Sequence, residues 1–285
     1  MKGMMETMEH KSSSSYGKPP WIFRGRALYQ FHLVKAEQVK PIIPKELKLV
    51  EAFGYTLGGF FLANYDDSPA GSFDELVVIG GIVWNPPTSC AWATRVLVSS
   101  QDACRHGRKA VGLPSQVATF SKKIPPIIRK EKLGLFHKGM DDLSSASDKT
   151  ISMNIQSEIA GSAMSELCSI NIKRSISEIR PDKWIGPHIR MSLPSFSGRT
   201  EHNPNLLKYA CSINCRLRPV QPAVISRVPL SVEKNKEDSF EDSDDFKRVN
   251  LSTLVMMSRP ILALEFNCLT MHVDAPSVVA RSNNT

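Results

Sequence analysis

The apolar residues of this chain fall in runs of five to twelve, rich in Val, Ile, Leu and aromatics and fenced by Pro or Gly. Runs of that length punctuated in that way predict strands rather than long amphipathic helices. They lie at 27–34, 56–65, 75–83, 91–98, 117–121, 151–155, 166–172, 207–217, 220–228 and 262–273. Gly58 and Gly59 fall inside the second run. Glycines there predict a bulge or the close approach of another backbone. Two short helices are expected. One spans 35–42 and stops at Pro44, and the other spans 100–106, capped by Ser100 and closed by Gly107. The expected fold class is mainly β, a β-rich α+β chain built as an antiparallel β-barrel or cone with a few short helices.

With 285 residues, 41% hydrophobic and 22% charged, the chain has enough apolar material for a sizeable core. No apolar run approaches the roughly 20 residues of a membrane-spanning helix. The net charge of +8 is scattered, with no basic stripe, interleaved aromatics or nucleic-acid motif, so nucleic acid is not an expected partner. The six cysteines, at 90, 104, 168, 211, 215 and 268, contain no Cys-x-x-Cys pair and are too sparse for a disulfide scaffold. They are expected to be reduced, mostly buried thiols. No His/Cys/Asp/Glu spacing suits a metal, and no glycine-rich phosphate loop or Gly-x-Ser-x-Gly elbow is present. Neither a metal nor a cofactor is expected.

The polar, Ser-rich segment 1–20, ending at Pro19-Pro20, is expected to be disordered. Residues 21–275 read as one domain interrupted by a polar loop at 138–149 and an acidic loop at 233–245, with a disordered tail over 276–285. The N-terminus lacks the apolar stretch of a secretory signal and carries Glu6 and Glu9 but no Arg over its first fifteen residues. Cytoplasmic residence is the expectation from the absence of signals, with plastid import left open.

The segment 99–118, SSQDACRHGRKAVGLPSQVA, runs from a strand through a short helix to Gly107-Arg108-Lys109, then Gly112-Leu113-Pro114, then another strand. It resembles the central segment of the acetoacetate decarboxylases and their relatives. Upstream, Gly25-Arg26-Ala27-Leu28-Tyr29, the VKPIIPKELKL of 39–49 and the loop from Asp66 to Glu75 follow the same family order. The resemblance covers about residues 21–125. It implies the family's barrel and a cavity lined by Arg26, Glu75, Phe60, Leu113, Pro114 and Ser115. Arg26 would match an arginine facing the substrate carboxylate, and Glu75 an acidic residue at the cavity mouth. Phe60 would stand where the family has a second acid.

Family mechanism rests on a lysine amine that forms a Schiff base, its pKa lowered by its surroundings; acetoacetate decarboxylase is the standard example of a lysine activated in this way. The two lysine positions after Pro114 are here Ser115 and Gln116, and neither can form a Schiff base. Lys122-Lys123 lies too far along the chain to take over, and reads as a strand-end charge cluster. Ser115 as a hydrolytic nucleophile lacks a histidine placed by sequence to activate it. No catalytic residue is therefore assigned, and enzymatic activity is doubtful on this ground.

Pro19-Pro20-Trp21, the GYTLGGF of 54–60, the VWNPPT of 83–88 and the GLPS of 112–115 resemble a plant branch of the superfamily. That resemblance implies a role in forming neoxanthin, as an accessory factor binding a small apolar or apocarotenoid-like ligand or a protein partner in xanthophyll metabolism, with self-association a further expectation. The alternative it leaves is an enzyme with a rebuilt site, either a lyase or hydratase using Arg26 and Glu75, or the neoxanthin-forming catalyst itself.

Overall fold

The computed structural model describes residues 16–86, 88–123, 149–157, 165–174, 185–226 and 244–280. In chain order these form β1 (Trp21–Lys35), α1 (Ala36–Val39), a 3-10 turn (Lys40–Ile42), β2 (Lys48–Leu49), β3 (Tyr55–Asp67), β4 (Phe73–Asn85), β5 (Thr88–Val98) and α2 (Gln101–His106). They continue with β6 (Ser115–Lys123), β7 (Lys149–Ser157), β8 (Ser165–Arg174), β9 (His188–Thr200), β10 (Asn203–Val220), β11 (Val224–Ser226), α3 (Asp244–Met257), β12 (Arg259–Val273) and β13 (Ser277–Ala280). The chain is mainly β, as its run lengths predict.

Seven strands close on themselves in the order β1-β3-β4-β5-β9-β10-β12 and back to β1. Every pairing in the ring is antiparallel except β5–β9, a short parallel contact at Ala91↔Ser195 and Trp92↔Phe196. Closure leaves these strands few unpaired edges. A second sheet grows from β5, with β6 parallel to it, then β7, β8 and β11 antiparallel in turn.

Alternate residues on the ring strands enter two separate cores. The inner one, inside the barrel, holds Phe23, Tyr29, Phe61, Tyr65, Val96 and Phe266. The outer one holds Leu28, Phe60, Leu62, Leu76, Ile155 and Val255, where the barrel wall packs on the second sheet and on α3. Both faces of β3 and β4 are thus buried, which is why their sequences read as unbroken apolar runs. A polar clamp fixes α3 to the wall. His32 Nδ1 donates to the Val255 carbonyl at 2.8 Å, which assigns its tautomer, and Gln30 Nε2 donates to His32 Nε2 at 2.9 Å. Burial holds the His32 imidazole below its ordinary pKa, consistent with a neutral ring.

Several boundaries differ from expectation. The helix 100–106 forms, with Ser100 Oγ accepting from the Ala103 amide, but Gly107 does not close it. The backbone continues as a wide turn over Gly107–Val111, and Gly112, at φ 72°, ends it. The Gly198 amide donates to the Gly112 carbonyl, so the stop is set by contact with β9. Residues 16–20 are described ahead of β1, and the Tyr16 ring stacks on His106. Part of the expected tail forms β13, because Leu206, Leu207 and Lys208 offer it pairing partners. Helix α3 and strand β9 fall in stretches to which no element was assigned from sequence. The polar loop lies outside the described residues up to 148, as does the acidic loop up to 243.

The glycine pair in β3 is a close-approach site. At Gly59, φ is 135° and a Cβ would meet the Gln30 carbonyl oxygen at 2.0 Å. Gly59→Ala should therefore destabilise the protein by about 3 kcal/mol or more. Gly71→Ala, at φ 75° with open space around it, should cost only about 1 kcal/mol. Urea unfolding of the two variants checks the difference.

Candidate functional site

Residues that alternate toward the barrel axis leave a cavity of about 280 Å³. Its wall is mostly aromatic and aliphatic, including Trp21, Tyr29, Phe61, Phe73, Leu193 and Met271. The polar groups set into it include Glu75, Tyr65, Tyr209, Cys211, His106 and Ser115.

Glu75 is positioned by β4, opposite Ala63 on β3 and Val98 on β5. Small Ala63 leaves room for the carboxylate to reach the cavity. Tyr65, on the same face of β3, donates its hydroxyl to Glu75 Oε2 at 2.8 Å. Among the described residues, no Lys or Arg lines the cavity. Burial without a cation disfavours the carboxylate, and the Tyr65 hydrogen bond offsets this only in part, so the Glu75 pKa rises to about 7. Burial pushes the Cys211 thiol up to about 12, with the Glu75 charge adding to the effect. Burial, followed by the Glu75 charge, also raises the Tyr16 and Tyr65 phenols. The Tyr209 phenol is raised by burial, then by Cys211 and Glu75.

His106 closes one side. Its ring is sandwiched, with Tyr16 stacked at 3.5 Å between centroids and Trp21 edge-on at 4.4 Å. Burial lowers its pKa to about 4, so the ring is neutral near pH 7. Its Nε2 is buried and has no hydrogen-bond partner. Ser115 and His106 share the cavity, yet that orphaned nitrogen shows that no Ser–His couple is made through it.

The six residues expected in one pocket are divided by the strand alternation. Glu75, Leu113 and Ser115 line the barrel cavity. Arg26 and Phe60 do not: both are on the outward phase of their strands. Phe60 is fully buried in the outer core, and its neighbour Phe61 faces the cavity instead. Arg26 lines a second cavity, outside the barrel. A shift of one residue exchanges the faces of a strand: the inward residues of β1 are the odd-numbered Phe23, Ala27, Tyr29 and Phe31, so Arg26 shares the outward phase of Leu28. Pro114 is not in the cavity lining; its carbonyl accepts from the Val96 amide. Ser115 and Gln116 separate in the same way. Gln116 takes two hydrogen bonds from the buried Arg95 guanidinium, at 2.9 and 2.6 Å. Of the two lysine positions, only Ser115 meets the cavity.

Tyr65, Tyr209, Cys211 and His106 were not identified as site residues from sequence. His106, on α2, gave no strand signal; for the other three the signal available was their spacing of two from other apolar residues, as in Phe61-x-Ala63-x-Tyr65 and Tyr209-x-Cys211-x-Ile213. It could be used only once the inward face was known. Chemically, the site offers one carboxyl able to hold or release a proton near pH 7, a phenol on it, and an apolar enclosure.

The pKa of Glu75 makes stability pH-dependent. Its folded pKa lies above the ordinary value of about 4.3, so its contribution is fully present below that pH and is lost as pH rises through 7. The loss amounts to about 3 kcal/mol. Glu75→Gln should remove it: thermal midpoints measured at pH 5 and pH 8 should differ less in the variant than in the wild type.

No family model matches the chain. Among solved structures, it is similar to an acetoacetate decarboxylase at TM-score 0.55 and 9% identity, covering 98% of this chain and 97% of that one. It is also similar to the acetoacetate decarboxylase of Legionella pneumophila, at TM-score 0.52 and 11% identity over 92% of this chain and 88% of that one. These likenesses establish the fold. Closer relatives are the Solanum lycopersicum protein NEOXANTHIN-DEFICIENT 1, 56% identical over 281 residues (94% of this chain, 95% of that one), and its Arabidopsis thaliana namesake, 53% identical over 281 residues (96% and 99%). With identity at that level over nearly the full length of both chains, and the acetoacetate decarboxylase-like barrel beneath it, this chain belongs to the plant NEOXANTHIN-DEFICIENT 1 family.

Proposed function

We propose that this protein serves neoxanthin formation, in the carotenoid branch leading toward abscisic acid, as a non-catalytic accessory factor that holds a small apolar or apocarotenoid-like ligand in its barrel. The observation that carries the reading is the cavity wall. It is aromatic and aliphatic, it contains no lysine among the described residues, and Ser115 occupies the position at which the decarboxylase resemblance would put the Schiff-base amine. The relatives' name supplies the pathway. At about 280 Å³ the cavity is at the small end of ligand pockets, which span roughly 300–1,000 Å³. It suits one ring or a short apolar fragment and not a whole carotenoid.

The charge balance narrows the ligand further. A wall with one carboxyl and no cation repels carboxylates once Glu75 ionises, so the barrel favours a neutral molecule that hydrogen-bonds to Glu75 or Tyr65. A protein partner in xanthophyll metabolism, or a second copy of the chain, would let such a binder act on enzymes that hold the pigment. Residence in the plastid would allow direct contact with the pathway, whereas a cytoplasmic location would make the dependence indirect.

A second reading is favoured by the proton-holding carboxyl: an enzyme in which Glu75 moves a proton on a substrate enclosed in the barrel. The pairing of Arg26 with Glu75 is not part of it, because the two line different cavities.

Purified protein incubated with violaxanthin in detergent, with products separated chromatographically, distinguishes the readings. The expected outcome is no neoxanthin from the protein alone, while a plant lacking the gene fails to accumulate it. Neoxanthin formed by the wild type and lost in Glu75→Gln would establish the enzyme instead. Borohydride treatment with acetoacetate should leave no lysine adduct in the barrel; a trapped lysine there would restore the decarboxylase chemistry.

A further inference from the structure

The second cavity, of about 250 Å³, lies outside the barrel where the wall strands β1, β3, β10 and β12 face the second sheet. Leu28 and Leu62 from the wall, Met153 and Ile172 from β7 and β8, and Val220 from β10 give it an apolar floor. Its charged residues are Arg26, Lys122, Arg218 and Glu265. Three of the four are already matched. Arg218 and Glu265 form a buried ion pair at 2.5 Å, and Lys122 Nζ donates to Asp74 Oδ1 at 2.9 Å. The Asn64 amide, opposite Arg26 in the β1–β3 register, is also taken by Asp74, at 3.0 Å. Arg26 remains. It is exposed at the cavity and has no ion-pair or hydrogen-bond partner among the described residues.

We infer that this outer cavity is a binding site for an amphipathic carboxylate: an acid whose apolar chain lies on the floor between the barrel wall and the second sheet while its carboxylate pairs with Arg26. The guanidinium is suited to that role because its donors match a carboxylate two at a time. Among the described residues, the lining and the Lys122 partner carry one net positive charge, on Arg26. The apolar floor selects against small hydrophilic anions, since its burial contributes only when a chain covers it. The two cavities are therefore complementary in charge. The barrel, with Glu75 and no cation, disfavours an acid, and the outer site attracts one.

The test uses the full-length protein and 11-(dansylamino)undecanoic acid, whose fluorescence rises on transfer to an apolar site. Saturable binding is expected. Arg26→Ala should weaken it at least tenfold, as for loss of a charge-assisted pair, and Arg26→Lys should restore part of the affinity. The methyl ester of the probe should bind wild type and Arg26→Ala alike. Leu62→Trp, which fills the outer cavity, should abolish binding, and Ala91→Trp, which fills the barrel cavity, should leave it unchanged. Because Arg26 is exposed, its replacement should leave the thermal midpoint within a degree or two of wild type, which separates lost binding from lost folding. Absence of saturable binding, binding indifferent to Arg26→Ala, or binding lost with Ala91→Trp but kept with Leu62→Trp would each overturn the inference.

Discussion

The structure depends on the closure of one hydrogen-bonded ring. Once β4 pairs with β5, and β5 touches β9 in a short parallel contact, the seven strands have an inside and an outside. Every side chain on them is assigned to one or the other by a period of two. The inner core, the outer core and both cavities follow from that assignment. So does the division of adjacent residues: Phe60 from Phe61, Ser115 from Gln116, and Asp74 from Glu75.

The same rule gives Glu75 its properties. On the outward phase a carboxylate meets cations, as Asp74 does with Lys122. On the inward phase Glu75 meets a phenol, aromatic rings and a small alanine, and its pKa rises because the Tyr65 hydrogen bond repays only part of the desolvation of its charge. The neutral His106 between Tyr16 and Trp21 is a second product of that enclosure. The barrel of this protein keeps proton-holding groups inside an apolar wall where the decarboxylase resemblance would place an amine.

Closure also explains where glycine is required. The wall strands approach one another at Gly59, against the Gln30 carbonyl, and the turn after α2 meets β9 at Gly112. The first is legible as a glycine pair inside a strand. The second is not, because the partner that sets it, Gly198, lies 86 residues further along the chain.

The sequence by itself determined the fold class, the positions of ten of the strands (β1 with a start six residues late), the helix capped by Ser100 and the absence of lysine at positions 115 and 116. These are local properties: strand propensity, capping chemistry and residue identity do not depend on what the segment packs against. The tertiary structure alone decided which face of each strand looks inward. Because β3 and β4 are buried on both sides, their sequences carry no polar alternation from which a phase could be read. On β1 the alternation is unbroken, and Arg26 shares the outward phase of Leu28 while Phe23, Ala27 and Tyr29 face inward. Arg26 and Glu75 are both evident as candidate residues in the sequence, but only ring closure places one outside the barrel and the other within it. Helix α3 was equally undetermined, since its place on the wall is set by Val255 accepting from His32, a contact 223 residues apart in the chain.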